Sequence, residues 1–388
     1  MSRIRRTRYL LFTCQDRLFL DVALLVRGVA EPTRTSELLA LSILTGEEFP
    51  LTSGELDALV AIPTDWIDVD RVDTALAETF ARRGLVVTDS DDAELAELRR
   101  RDERLAADHW NLYAAFYHFM TKWRDVGLTF DVEQPDDEYV KSLGAAPPAF
   151  HTVDADVVTD LPVVGRDGDL YELLLRRRTT RAFDASRPLT QEQLAVLLRY
   201  VWGCHGTLAV SDDVVSLKKT SPSGGGLHPT EVYPLVLNVD GLQPGLYHYD
   251  VERHALESMQ PLSLDEAREL ASEMTVGQHF PPDAAVVFLM TTRFPRHFWK
   301  YRGNNRAYGV LLMDAAHLSQ TFYLVATELG LGAFVTAAIN AHNIEEQLGL
   351  DGFAEAPVAV CGAGHPLAVP NAAEPQFEPF VPRAAVAA

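Results

Sequence analysis

Apolar and polar positions follow one rhythm in the first quarter of this chain and another after residue 165. Residues 8–14, RYLLFTC, and 18–26, LFLDVALLV, are short apolar runs around the polar stretch Gln15-Asp16-Arg17. They predict two strands and a turn. Three helical patterns follow. RTSELLALSILTG offers Thr35 or Ser36 as a cap and Gly46 as a stop. LTSGELDALVA carries a capping box, Thr52 with Glu55 three residues on. DVDRVDTALAETFARRG places Val69, Val72, Leu76 and Phe80 on one stripe and ends at Gly84. The apolar run LVV then predicts a closing strand. Residues 90–125 read as helix, polar all round in the first half and rich in aromatics in the second: Trp110, Tyr113, Phe116, Tyr117, Phe119 and Trp123. Residues 131–168, with Pro135, Pro147, Pro148 and Pro162, read as a linker.

From about residue 169 the pattern is mixed α and β. LTQEQLAVLLRYVWG predicts a helix capped by Thr190 and Gln193, with a stripe at Leu194, Leu197, Leu198 and Val201. VYPLVLNV and GLYHYDVERHALESM give strand and hairpin signals. AAVVFLMTT is apolar without alternation, as a strand buried on both faces would be. RAYGVLLMDAAHLSQTFYLVATELG predicts a long, deeply packed helix, and PVAVCGAG a last strand. The tail from Ala372 is rich in Pro and Ala and reads as extended. The expected organisation is therefore a module over 1–89, a helical segment and linker over 90–165, and an α+β domain over 166–388.

Composition narrows the functional classes. The chain has 388 residues, 47% of them hydrophobic and 23% charged, enough for a sizeable core and more than one domain. A formal net charge of −21 repels phosphate backbones and argues against a nucleic-acid partner, although MSRIRRTR at the start is basic. Cys14, Cys204 and Cys361 have no metal-ligand or CxxC spacing, which points to a reducing cytoplasm. No apolar run nears the roughly 18 residues of a membrane span, and Gln15, Asp16 and Arg17 interrupt the first apolar stretch, so no signal peptide is expected.

Three stretches could carry chemistry. RRRTTRAFD, residues 176–184, gathers guanidinium and hydroxyl donors of the kind that hold a phosphate; equally, such a run can be a solvated basic turn. KKTSPSGGGLHPTEVYP, residues 218–234, has three bare glycines flanked by Pro222 and Pro229. That permits close backbone approach to a flat ligand, or marks a hairpin tip. It matches neither a Walker loop nor a dinucleotide fingerprint. ELGLGAFVTAAIN, residues 328–340, ends a helix in Gly330 and Gly332 and continues through small residues that leave backbone N–H groups open to a ligand edge. A fourth feature is the adjacent pair Lys300 and Tyr301, which as structure alone is a surface pair at a helix start. His228, His279, His297 and His317 show no metal spacing, and no metal is expected.

Together and in this order, RRTTRAFD, the Thr-capped helix, PSGGGLHP and the long helix ending LGLGA resemble the FMN-dependent nitroreductase superfamily. YHYDVERHAL and the WKY…RAY…DAAHLSQ stretch are similar to its SagB-type dehydrogenases, which oxidise azolines to azoles in ribosomally made peptides. The resemblance covers roughly residues 165–370. It implies a nitroreductase-like α+β fold, a central mixed sheet flanked by helices, dimeric, with two FMN sites at the subunit interface. It implies that Arg177, Thr179 and Arg181, with Arg178 close by, grip the FMN phosphate and ribityl chain. Pro222, Ser223, Gly224 and Gly225 would lie against the flavin ring, Ala337 and Ala338 would offer backbone to its edge, and Gly364 and His365 would sit near the phosphate. Lys300 and Tyr301 match a pair required for catalysis. Aromatising an azoline removes a hydride and a proton, and a partly buried lysine with lowered pKa could take the proton. The first 89 residues are similar to PqqD-like modules of winged-helix type, which bind a precursor's leader peptide by adding it as a strand to a sheet edge. A module that only dimerises or scaffolds would look the same. The implied partners are a precursor peptide, a second copy and a cyclodehydratase. Two other functions fit the chain: an NAD(P)H-dependent nitroreductase or flavin reductase acting on small molecules, and a flavin-less scaffold of a peptide-modifying complex.

Overall fold

A computed structural model describes residues 1–19, 33–127, 144–151, 153, 156–159, 161–162, 165–211 and 214–367. Contacts divide the chain into two compact units. One holds Met1–Lys122, Arg293–Val310 and Asp351–Glu355, and the other holds Trp123–Thr292, Leu311–Leu350 and Ala356–Ala388.

The first unit begins with β1 (Arg3–Arg6), β2 (Leu10–Phe19), β3 (Thr33–Ser42) and β4 (Glu47–Leu51). Next come α1 (Ser53–Ala61), β5 (Ile67–Asp68), α2 (Thr74–Arg82), β6 (Val86–Thr88), α3 (Ala93–Ala107) and α4 (Leu112–Met120). Two three-stranded sheets result, β5-β1-β6 and β2-β3-β4. Sequence and structure part here in three places. The stretch 34–46, expected as a helix, is mostly β3, which pairs along its length with β2 and from Leu38 to Ser42 with β4. Ser36, expected as a cap, instead donates from its hydroxyl to Asp16 at 2.7 Å. The expected turn at Gln15–Arg17 is continuous strand, with Gln15 opposite Glu37 and Asp16 opposite Ser36. Strand pairing with distant residues overrode the local helical signal. The expected strand over 18–26 is described only at Leu18 and Phe19. The described residues among 1–89 thus form a small β-rich module in which two of the three expected helices are present.

The third difference lies in residues 90–125. The expected single helix breaks at His109, which takes a left-handed φ of 59°. Its first half is not polar all round: Leu95, Leu98, Asp102 and Leu105 are buried. In the second half, Trp110 and Phe116 are buried whereas Tyr113 and Tyr117 are exposed. The capping boxes at Thr52/Glu55 and Thr190/Gln193 are both present as read.

The second unit follows with α5 (Asp169–Arg176), α6 (Gln191–Val201), β7 (Gly206–Ser211), β8 (Val214–Lys218), β9 (Thr230–Val236), β10 (Gly245–Asp250), β11 (Ala255–Pro261), α7 (Leu264–Met274) and β12 (Val286–Arg293). After α8 (Phe294–Tyr301), which belongs to the first unit, come α9 (Ala307–Glu328), β13 (Gly332–Thr336), α10 (Ala341–Leu348) and β14 (Glu355–Gly364). The main sheet runs β11-β10-β9-β12-β14-β13. Its two faces are read directly from β12. Val286, Phe288 and Met290 join one core with Leu194, Leu198 and Trp202 of α6 and Phe322 of α9. Val287 and Leu289 join the other, with Ala267, Ala271 and Met274 of α7 and Ile344 of α10. The unbroken apolar run thus reflects helices on both faces, even though β12 pairs antiparallel with β9. The β7–β8 hairpin carried no sequence signal that stood out.

On the α7 side of the sheet His248 lies between Glu257, 2.9 Å from Nδ1, and Glu231, 3.8 Å from Nε2. The Glu231 and Glu257 carboxylates raise its pKa from 6.5 to about 9, against the opposing effect of burial. A raised folded-state pKa means the stabilisation is complete below pH 6.5 and vanishes as pH rises through about 9. The melting-temperature advantage of the wild type over His248→Gln is therefore expected to be largest at pH 6 and to vanish by pH 10. A constant difference across that range would show that the charge contributes nothing.

Candidate functional site

The arginine segment leaves the end of α5 and is laid against the edge of the main sheet. Thr180 N–H donates to the Ala333 carbonyl at 2.8 Å, Leu367 N–H donates to Ala182 at 3.1 Å, and Asp184 N–H donates to His365 at 2.8 Å. Arg181 therefore sits between two pinned residues. Two of its companions meet a single side chain of α9. The Arg177 guanidinium lies over the Tyr323 ring, 5.3 Å from its centroid. Thr179 Oγ1 is 3.0 Å from Tyr323 Oη. The same Oη accepts the N–H of Val335 on β13 at 3.0 Å. Arg178 is exposed beside them.

Two glycines explain why the segment fits so closely. A Cβ at Gly332 would lie 2.7 Å from the Thr180 side chain, and one at Gly364 would lie 3.0 Å from the Phe183 ring. Gly364 thus serves close packing of the arginine segment on β14. His365 is buried, with Nε2 3.2 Å from the Pro188 carbonyl, and burial lowers its pKa. Just past β13, Ala337 is exposed and Ala338 N–H donates to Thr336 Oγ1 at 3.1 Å.

The glycine loop is a shaped turn, as the flanking prolines suggested. Gly224–Gly226 form a three-ten turn, with φ of +64° at Gly225 and +68° at Gly226. Its anchor is Asp314, which is 3% exposed on α9. Asp314 accepts the Ser223 hydroxyl at 2.5 Å and Gly224 N–H at 3.0 Å, and Ser223 Oγ in turn accepts His228 N–H at 2.9 Å. Ser221 Oγ lies 2.6 Å from Thr321 Oγ1. Pro222 is exposed on this loop.

Asp314 and Tyr323 thus organise the two segments, and sequence reading missed both. A carboxylate in the middle of an otherwise apolar helix was the available signal for Asp314. For Tyr323 there was none, since an aromatic in a packed helix reads as core. An offset of nine positions is two and a half turns of α-helix, so they project from opposite sides of α9. The guanidinium-and-hydroxyl set near Tyr323 has the chemistry to hold a phosphate monoester. The bare, hydrogen-bonded turn near Asp314 suits the face of a flat ring.

Lys300 and Tyr301 belong to the first unit. They occupy the last turn of α8, not a helix start, with Lys300 Nζ 5.9 Å from the Tyr301 ring centroid. Lys300 is exposed rather than partly buried, and burial in this turn falls on His297 and Phe298. The helix is held rigidly. Trp110 packs on Phe294 at 4.5 Å and on Phe298 at 4.9 Å between centroids, and its indole N–H donates to the Phe353 carbonyl. Within the second unit, the arginine segment, β13 end and β14 end come together. Among the described residues no group of histidine, cysteine and carboxylate side chains could hold a metal. Cys14, Cys204 and Cys361 are free. No described helix is long and apolar enough to cross a membrane.

The model of the nitroreductase family matches residues 174–365. A protein of Methanocaldococcus jannaschii named as a nitroreductase is 32% identical over 182 residues, 46% of this chain and 83% of that one. The chain belongs to the nitroreductase family. The trifolitoxin-processing protein TfxB of Rhizobium leguminosarum is 31% identical over 174 residues, 44% of this chain and 46% of TfxB. The microcin B17-processing protein McbC of Escherichia coli is 31% identical over 157 residues, 39% of this chain and 55% of McbC. The matched stretch thus spans about half of each processing protein. Among solved structures, the E. coli microcin synthetase McbBCD complex with truncated pro-MccB17 bound aligns over 71% of this chain and 98% of that one, with a TM-score of 0.50 at 20% identity. The nitroreductase-like fold expected from the sequence is the one observed.

Proposed function

We propose that this nitroreductase-family chain is an FMN-dependent dehydrogenase that oxidises a modified residue, an azoline or a similar group, in a ribosomally synthesised precursor peptide. The observation that carries the reading is similarity to two peptide-processing proteins, TfxB and McbC. The donor set near Tyr323 supports the cofactor. In this reading Arg177, Arg178, Thr179 and Arg181 bind the phosphate and ribityl chain. Pro222, Ser223, Gly224 and Gly225 lie on the ring, Ala337 and Ala338 meet its edge with backbone groups, and Gly364 and His365 flank the phosphate end. Bound FMN supplies a two-electron acceptor.

The opposite orientation of Asp314 and Tyr323 on α9 supports a homodimer. One chain's arginine segment and the glycine loop of a second copy then complete each site. Lys300 takes the proton released from carbon, and Tyr301 hydrogen-bonds the reacting group. A peptide laid across α8 excludes water around Nζ. The 1–89 module holds the leader by strand addition at a sheet edge, which raises the local concentration of the core peptide. A cyclodehydratase supplies the azoline, and the reaction is placed in a reducing cytoplasm.

The test is to incubate the FMN-loaded protein with azoline-containing peptides and measure loss of the mass of two hydrogens. Fast, saturable reduction of the flavin by NADPH without peptide turnover would move the assignment to a small-molecule reductase. A protein that takes up no FMN would leave only a scaffold. Arg181→Ala is expected to weaken FMN binding by about 1.5–3 kcal/mol, one charge-assisted contact to phosphate. Unchanged affinity in a flavin titration would remove Arg181 from the phosphate grip.

A further inference from the structure

The Tyr323 side chain makes three contacts, and two of them bear on groups that the preceding reading assigns to the phosphate. Its ring carries the Arg177 guanidinium, its oxygen accepts Val335 N–H, and its hydroxyl is paired with Thr179 Oγ1. A phenol has one hydrogen to give and lone pairs to receive. With Val335 already donating to Oη, the phenol hydrogen is available for Thr179 Oγ1. Where Thr179 accepts from Tyr323, its own hydrogen is free for another acceptor. The order is Val335 N–H, Tyr323 O–H, Thr179 O–H, each donor polarised by the one before it. The ring also carries the Arg177 guanidinium, 5.3 Å from its centroid, and so holds that charge in place.

We propose that Tyr323 is a positioning residue that makes the site selective for a phosphorylated flavin, by leaving the Thr179 hydroxyl hydrogen free to donate and holding the Arg177 guanidinium in place. This rests on the flavin reading above and names a residue and a specificity beyond it. Tyr323 touches no part of the cofactor in this role. It acts through its two neighbours, and it acts only on the phosphate end. The glycine loop, held by Asp314 on the opposite side of α9, is independent of it.

The experiment compares FMN with riboflavin, which lacks only the phosphate. Apo-protein is titrated with each and binding is followed by quenching of flavin fluorescence. Wild type is expected to prefer FMN strongly. Tyr323→Phe keeps the ring under Arg177 and removes the hydroxyl, and should weaken FMN about tenfold while leaving riboflavin within twofold. Tyr323→Leu removes the ring as well and should weaken FMN about a hundredfold, again with riboflavin little changed. Thr179→Ala should match Tyr323→Phe, and the double variant should be no worse than either single one, because they share one chain of hydrogen bonds. Asp314→Asn should weaken both flavins alike. Equal losses for FMN and riboflavin in the Tyr323 variants would mean a general structural role and overturn the proposal, as would no loss for either. In both cases the flavin reading itself would survive, since wild type still binds FMN. Only a wild type that binds neither flavin would sink the two together.

Discussion

Lys300→Ala is expected to bind FMN as the wild type does and to lose about 10²–10⁴ of its turnover on an azoline peptide, the usual contribution of a positioned general base. The geometry separates the two effects. Lys300 is in the last turn of α8, in the unit that does not carry the arginine segment, and its side chain is exposed. Removing it disturbs no core, because α8 is held by Phe294 and Phe298 against Trp110. Single-turnover kinetics with preloaded enzyme measure the chemical step, and a flavin titration measures the cofactor. Loss of FMN in the variant would make Lys300 a cofactor ligand. Unchanged turnover would reduce the pair to the surface end of a helix. Tyr301→Phe, which keeps the ring packed 4.8 Å from His297, should give a smaller loss.

Asp102→Ala is expected to destabilise the first unit by about 3–5 kcal/mol and lower its melting temperature by roughly 10 °C. Asp102 is fully buried on α3. It is ion-paired to Arg5 of β1 at 2.6 Å, accepts the Thr7 hydroxyl at 2.5 Å and accepts Arg8 N–H at 3.2 Å. The variant strands the Arg5 charge, whose side chain is only 6% exposed, without a counter-ion. Replacing both partners with apolar residues, Arg5→Met with Asp102→Leu, should recover most of the loss, since the pair itself is worth little once its desolvation is counted. Equal damage from the single and double changes, read by calorimetry, would mean that shape rather than charge is what the unit needs.

Local signals were legible where a helix or strand is decided by near neighbours. Thr52 with Glu55 and Thr190 with Gln193 close their own capping boxes within one turn. The run at 286–292 needs only burial on both faces to read as a strand, and the order of the arginine segment, glycine loop and Gly-terminated helix is enough to place the chain in its family. Residues 34–42 were misread because their partners lie 16 to 32 residues away in β2, and a Ser-Glu-Leu-Leu stretch cannot announce a distant strand. The break at His109 was hidden for a related reason. Its left-handed turn lets Trp110 reach Phe294 and Phe298, nearly two hundred residues on.

At the candidate site the sequence by itself determined which residue types are present: guanidinium groups and hydroxyls near 180, bare backbone near 225, and a lysine beside a tyrosine at 300. Only the tertiary structure decided how they are held. Asp314 and Tyr323 act across roughly ninety and one hundred and forty residues of chain, respectively, so no local pattern could reveal them. Their half-turn offset around α9 orients the two halves of the site oppositely, because a helix presents side chains by rotation as well as by rise.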